Sequence, residues 1–81
     1  MTTMRAKLRV ATVAMTETSD VLKFHAVGPK GPYPEDGSDE DNTYAKFSPS
    51  ATFDITICNP ALLGKFRPGQ TFYVDFTPAD A

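Results

Sequence analysis

Twenty residues near the C-terminal end, 59–78, do most to restrict the folds open to this chain, because they specify a start, a stop, a reversal and a strand in succession. Asn59 is a good helix N-cap, and Pro60 suits the first helical position, where its missing N–H is no loss. Gly64 ends that helix after a single turn by taking the left-handed conformation that closes helix C-termini. Pro68 and Gly69 fill the two centre positions of a type II turn, the second of which needs a positive φ that glycine adopts at little cost. Residues 70–76 follow as a strand, with Phe72, Val74 and Phe76 on one face and Thr71, Tyr73 and Asp75 on the other.

The same two-residue period recurs upstream. Residues 4–15 alternate in their first half, Met4, Ala6, Leu8 and Val10 pointing one way and Arg5, Lys7 and Arg9 the other. The polar stretch 17–20 suits a turn, so 21–27 returns as the second strand of a hairpin, with Leu22, Phe24 and Ala26 opposed to Lys23 and His25. Residues 51–57 form the cleanest strand, Ala51, Phe53, Ile55 and Ile57 facing in and Thr52, Asp54 and Thr56 facing out. Residues 28–50 break the pattern: Pro29, Pro32, Pro34 and Pro49, three glycines and an acidic run forbid a central strand through the first part. Residues 43–47 remain a candidate edge strand, with Tyr44 and Lys46 on one side and Ala45 and Phe47 on the other. The predicted fold is all-β, a small antiparallel barrel or sandwich of four to five strands with one short helical turn. It is a single β domain over residues 1–81, carrying an irregular acidic Pro/Gly-rich loop at 28–42.

At 81 residues one core leaves a net stability of only about 3–5 kcal/mol, and such small domains draw support from disulfides, metals or association. A lone cysteine, Cys58, permits no internal disulfide, and a lone histidine, His25, permits no His/Cys metal cluster. No cofactor or metal is therefore expected, and self-association into a homo-oligomer is. Residues 1–10 carry three basic residues without a following apolar run, unlike a signal peptide, and no apolar stretch is long enough to span a bilayer. The expected setting is a reducing cytoplasm or a particle assembled there, with no membrane partner.

Net charge is −2, unevenly spread. Residues 1–30 hold Arg5, Lys7, Arg9, Lys23 and Lys30 against Glu17 and Asp20, a balance of +3, whereas 35–41 hold Glu35, Asp36, Asp39, Glu40 and Asp41 with no base. Nonspecific nucleic-acid binders present a basic face, so nucleic acid is not the expected partner of this acidic chain.

The sequence has no GxSxG, P-loop or CxxC motif and no Cys–His pairing with a helper residue, so no catalytic residue is assigned and the chain is read as a non-enzyme. His25 reads as a surface histidine and Cys58 as a small buried hydrophobe. Residues 36–42 have the composition of a calcium loop but not its spacing or flanking helices, and read as a solvated loop. Arg5, Lys7 and Arg9 form a row that could contact an anion, with the competing expectation that they pair across strands with Asp54 and Asp75. The richest segment is 42–50. There Asn42, Tyr44, Lys46, Phe47, Ser48 and Ser50 supply an amide, hydroxyls, a cation and two rings, which suits an anion and a flat apolar group; they are the candidate ligand-binding residues. Against that stands an edge strand that packs Phe47 and exposes Lys46 to discourage aggregation.

Residues 42–50, the Asn59-Pro60-Ala61-Leu62 step and the closing run from Phe66 to Pro78 together resemble a group of short, mostly uncharacterised proteins of tailed bacteriophages. In that group an aromatic-Ser/Thr-Pro-Ser/Gly step precedes a strand, and an Asn-Pro turn and a Tyr-hydrophobic-Asp-Phe-Thr strand follow. The resemblance covers residues 42–78 and implies a phage setting and a compact β fold. In that setting the expected function is a non-enzymatic accessory protein in the host cytoplasm, which binds a host protein or a nucleotide-like small molecule to counter host defence. The alternative is a virion accessory that docks on capsid protein as a decoration or head–tail component, and behind it a single-stranded DNA binder on an OB-like barrel.

Overall fold

The computed structural model describes residues 4–29 and 31–80. Four strands, β1 (Met4–Met15), β2 (Asp20–Ala26), β3 (Thr52–Ile57) and β4 (Thr71–Phe76), form one antiparallel sheet in the order β3-β2-β1-β4. The fold is all-β. Alternation in the sequence sets the faces: Ala6, Leu8, Val10, Leu22 and Phe24 are buried on one side, while Arg5, Arg9, Lys23 and His25 lie exposed on the other.

The loss of alternation midway through β1 has a structural cause. The register with β2 shifts between Val10 and Thr12, so Ala11 is an extra residue and the facing parity switches there. Beyond it Val13 lies opposite Leu22 and rejoins the core. The hairpin to β2 is held by Thr16, whose N–H donates to the Ser19 carbonyl at 2.7 Å and whose hydroxyl accepts the Ser19 N–H at 3.0 Å.

The sheet curls without closing. Phe24 of β2 meets Phe53 of β3 at 5.6 Å between ring centroids and reaches Phe72 of β4, two strands away, at 6.3 Å. A flat sheet would keep those strands roughly 9–10 Å apart. The outer edges of β3 and β4 pair with no further strand among the described residues, which leaves a half-barrel. Phe66, tilted onto Phe72 at 5.5 Å between ring centroids, covers part of the concave face, and Tyr44 and Ala51 cover another part. The core is the buried cluster of Ala6, Leu8, Val10, Leu22 and Phe24, and the edge-to-face rings and this cover pack against it.

The segment between β3 and β4 follows its sequence. Asn59 accepts the Ala61 N–H at 3.1 Å through its side chain and the Leu62 N–H at 2.9 Å through its carbonyl. Gly64 has φ 75° and Gly69 φ 93°, and the Gln70 N–H closes the turn on the Arg67 carbonyl at 3.3 Å. Buried Asp20 ties this segment to the sheet by accepting the Gly64 N–H at 2.8 Å.

Two expectations need correction. Residues 43–47 form turns, not a fifth strand, so the sheet has four strands among the described residues. Thr43 donates its N–H to the Arg5 carbonyl and accepts the Arg5 N–H on its hydroxyl, and the Ala45 N–H bends back to the Asn42 carbonyl at 3.1 Å, leaving no extended edge. Cys58 is exposed rather than buried, because it continues the outward parity of Thr52, Asp54 and Thr56 past the end of β3.

Candidate functional site

β1 is longer than β2, and its first four residues, 4–7, therefore lack a strand partner on one side. The loop supplies one from side chains and isolated backbone groups. The Val27 N–H donates to the Lys7 carbonyl at 3.0 Å, and the Lys7 N–H donates to Asn42 Oδ1 at 2.9 Å. One step further the Thr43 N–H donates to the Arg5 carbonyl at 3.0 Å, and the Arg5 N–H donates to Thr43 Oγ1 at 2.9 Å. Asn42 is 0 % exposed, and its Nδ2 also donates to the Val27 carbonyl at 2.7 Å and to Asp39 Oδ2 at 2.9 Å. This asparagine is a strut between strand and loop, with its amide fully engaged and none of it presented to a ligand.

The rest of the loop is braced from within. Gly37, at φ 73°, donates its N–H to the Pro34 carbonyl at 2.9 Å and accepts the Phe47 N–H at 2.7 Å. Phe47 itself holds φ 60°, and its ring lies against Gly37 where any Cβ would collide with it. Tyr33 tilts onto the same ring at 5.8 Å. Asp36 accepts the Ser38 N–H at 3.0 Å, and that bond holds its carboxyl below the usual carboxylate range. Asp39 Oδ1 accepts the Asp41 N–H at 3.0 Å. Neither Gly37 nor Tyr33 stands out in the sequence as part of this brace, and the partner of Tyr33 lies fourteen positions on.

The candidate residues of 42–50 do not converge. Lys46 is exposed and lines an open recess of about 380 Å³ together with Ser38, Asp39, Glu40, Thr43 and Tyr44. Ser50 lines a different, apolar groove of about 320 Å³ with Met4, Ala6, Leu8, Phe53 and Phe76. Tyr44 stands between the two and lines both. Its hydroxyl is buried without a hydrogen-bond partner among the described residues, and burial, helped by Asp39, pushes its pKa up. Phe47 is half-exposed above Gly37, and Ser48 is exposed without lining either cavity.

The basic row is largely neutralised. Arg5 forms a two-point contact with Asp75, Nε to Oδ1 at 2.6 Å and Nη2 to Oδ2 at 3.1 Å, and its guanidinium lies 4.5 Å from the centre of the Tyr73 ring. The bond to Arg5 holds the Asp75 carboxyl below its ordinary range. Lys7 pairs with Asp41 at 3.6 Å. Among the described residues Arg9 reaches only the Thr71 hydroxyl, at 3.5 Å. Pairing with Asp75 thus holds, but Asp54 sits opposite Lys23 on the far side of the sheet and faces none of the three.

Comparison with known proteins gives no matching family, no matching curated protein and no matching solved structure.

Proposed function

We propose that this chain is a non-enzymatic accessory protein of a tailed bacteriophage, which docks a host protein in the host cytoplasm and so counters host defence, with the acidic loop as its contact surface. The observation that carries the docking reading is the bracing of that loop by Asn42, Gly37 and Phe47. Gathering like charges costs free energy, and a segment already fixed in place spares the ordering cost when a partner binds. Asp36, Asp39 and Asp41 are occupied by internal contacts, which leaves Glu35 and Glu40 exposed on the fixed scaffold. A partner of complementary chemistry is a basic protein surface. The same charges disfavour the nucleotide-like ligand, because the recess beside Lys46 also holds Asp39 and Glu40. The phage setting rests on the resemblance of residues 42–78.

The test is capture from host-cell extract by the wild-type protein and by an E35Q/E40Q variant. The expected result is a defined host protein retained at low salt, released as salt rises, and not retained by the variant at equal melting temperature. Equal capture by the variant, or no specific host protein, would overturn the assignment. The virion-accessory reading is favoured by a separate observation, the two open strand edges. Stoichiometric recovery of the chain in purified particles would support it instead.

A further inference from the structure

The outer edge of β4 carries a nearly palindromic sequence. Residues 71–77 read Thr-Phe-Tyr-Val-Asp-Phe-Thr, which is symmetric about Val74 in all but the Tyr73/Asp75 position. The backbone has the matching parity. Val10 donates to the Gln70 carbonyl and accepts the Gly69 N–H, each at 2.8 Å, so the even residues of β1 bond toward β4, while Arg5 and Lys7 bond toward the loop. Opposite those even residues stand Phe72, Val74 and Phe76, whose backbone groups turn inward. Thr71, Tyr73 and Asp75 therefore turn theirs to the free edge.

We propose that this edge joins a second copy of the same chain through a two-fold axis at Val74, making one continuous eight-stranded sheet from two four-stranded ones. Thr71 then opposes Thr77 of the other copy, Phe72 opposes Phe76 and Tyr73 opposes Asp75. Every outward-turned backbone group meets another outward-turned group, giving about eight inter-chain hydrogen bonds at two per opposed pair. On the concave side the half-exposed Phe76, 46 % accessible, is brought against the partner's Phe72. Charge selects this register. An axis at Asp75 would set two carboxylates against each other, and an axis at Tyr73 would leave Phe76 facing Gln70. It also selects this edge over that of β3. Asp75 is neutralised by Arg5 within its own chain, whereas Asp54 on the outer edge of β3 has no ion-pair partner among the described residues and acts as a guard against pairing. Joining at β4 alone closes the assembly at two copies, because the β3 edges stay apart. This inference is independent of what the acidic loop binds.

The test combines sedimentation with cysteine cross-linking in a C58S background, Cys58 being exposed. Two residues on a two-fold axis at a non-hydrogen-bonded pair have Cα atoms about 4.5 Å apart, within disulfide range. The expected result is twice the chain mass for the wild type, an oxidised dimer for V74C and none for I55C at the centre of β3. Y73P, which removes an outward N–H, should sediment as a monomer with an unchanged circular dichroism spectrum. A wild type that stays monomeric at its highest soluble concentration would overturn the proposal. So would cross-linking of I55C without V74C, which would move the contact to β3.

Discussion

Asn42 and Asn59 are the same residue in two settings, and replacing each by alanine separates a strut from a cap. Asn42→Ala removes three hydrogen bonds from a fully buried side chain and strands the Lys7 N–H and the Val27 carbonyl. At about 1 kcal/mol per neutral bond, somewhat more for the one to the Asp39 carboxylate, and with buried groups left unpaired, the loss comes to about 3–5 kcal/mol. That is comparable with the whole stability of a domain this small, about 3–5 kcal/mol. Asn59→Ala removes one exposed capping bond and should cost about 1 kcal/mol. Urea denaturation followed by circular dichroism reads both. The expected outcome is a midpoint near zero urea for Asn42→Ala and a modest shift for Asn59→Ala, with unchanged slope. Equal shifts, or a loss under about 1 kcal/mol for Asn42→Ala, would refute the claim that the amide holds the loop to β1.

Other outcomes follow from single features. Tyr44→Phe removes a buried hydroxyl without a partner and should leave the protein equally or more stable, by about 1 kcal/mol in a urea titration. Because burial raises the Tyr44 pKa above its unfolded value, its contribution is complete below the ordinary tyrosine value of about 10 and fades as pH rises through the folded pKa; Tyr44→Phe should flatten that alkaline loss. Asp75 and Asp36 have lowered pKa values, so the stability they lend is present above the ordinary carboxylate range and is lost as pH falls through their folded values. Asp75→Asn should accordingly reduce the acid sensitivity of the melting temperature measured between about pH 5 and 2. Gly37→Ala forces a side chain into a left-handed backbone and against the Phe47 ring; a cost of at least about 1–2 kcal/mol should lower the melting temperature by about 4–16 °C.

The strands were legible because their cause is local. Alternation gave β1, β2, β3 and β4 to within a residue or two, and the glycines at positions 64 and 69 announced their positive φ. What escaped the sequence depends on distance along the chain. Asn42 reads as an exposed polar contact because its partners, Lys7 and Val27, lie 35 and 15 positions away, and only the folded sheet reveals an unpaired stretch of β1 for it to fill. Residues 43–47 alternate like a strand, yet the same vacancy draws Thr43 into a side-on contact and turns the chain away. Cys58 was the avoidable error, since extending the outward series 52, 54, 56 by one step places it in solvent. The candidate site was legible as an inventory of groups, but the division of Lys46 from Ser50 by the Tyr44 ring was not.

The placing of β1 between β2 and β4 also dictates an order of events during synthesis. Met15 and Asp20 face each other across a five-residue interval, so the first hairpin can zip as soon as it clears the ribosome. Arg9 and Thr71, in contrast, are 62 positions apart, and Arg5 and Asp75 are 70. At translation rates of about 5–20 residues per second, β1 waits about 3–12 s for the strand that completes its other side. During that interval its open flank is an adhesive edge in a crowded compartment, and the cations Arg5, Lys7 and Arg9 are what it shows to neighbouring nascent chains. The cations of that strand are compensated one at a time as the later chain arrives, Lys7 by Asp41 and then Arg5 by Asp75, while Arg9 meets only the neutral Thr71 hydroxyl among the described residues.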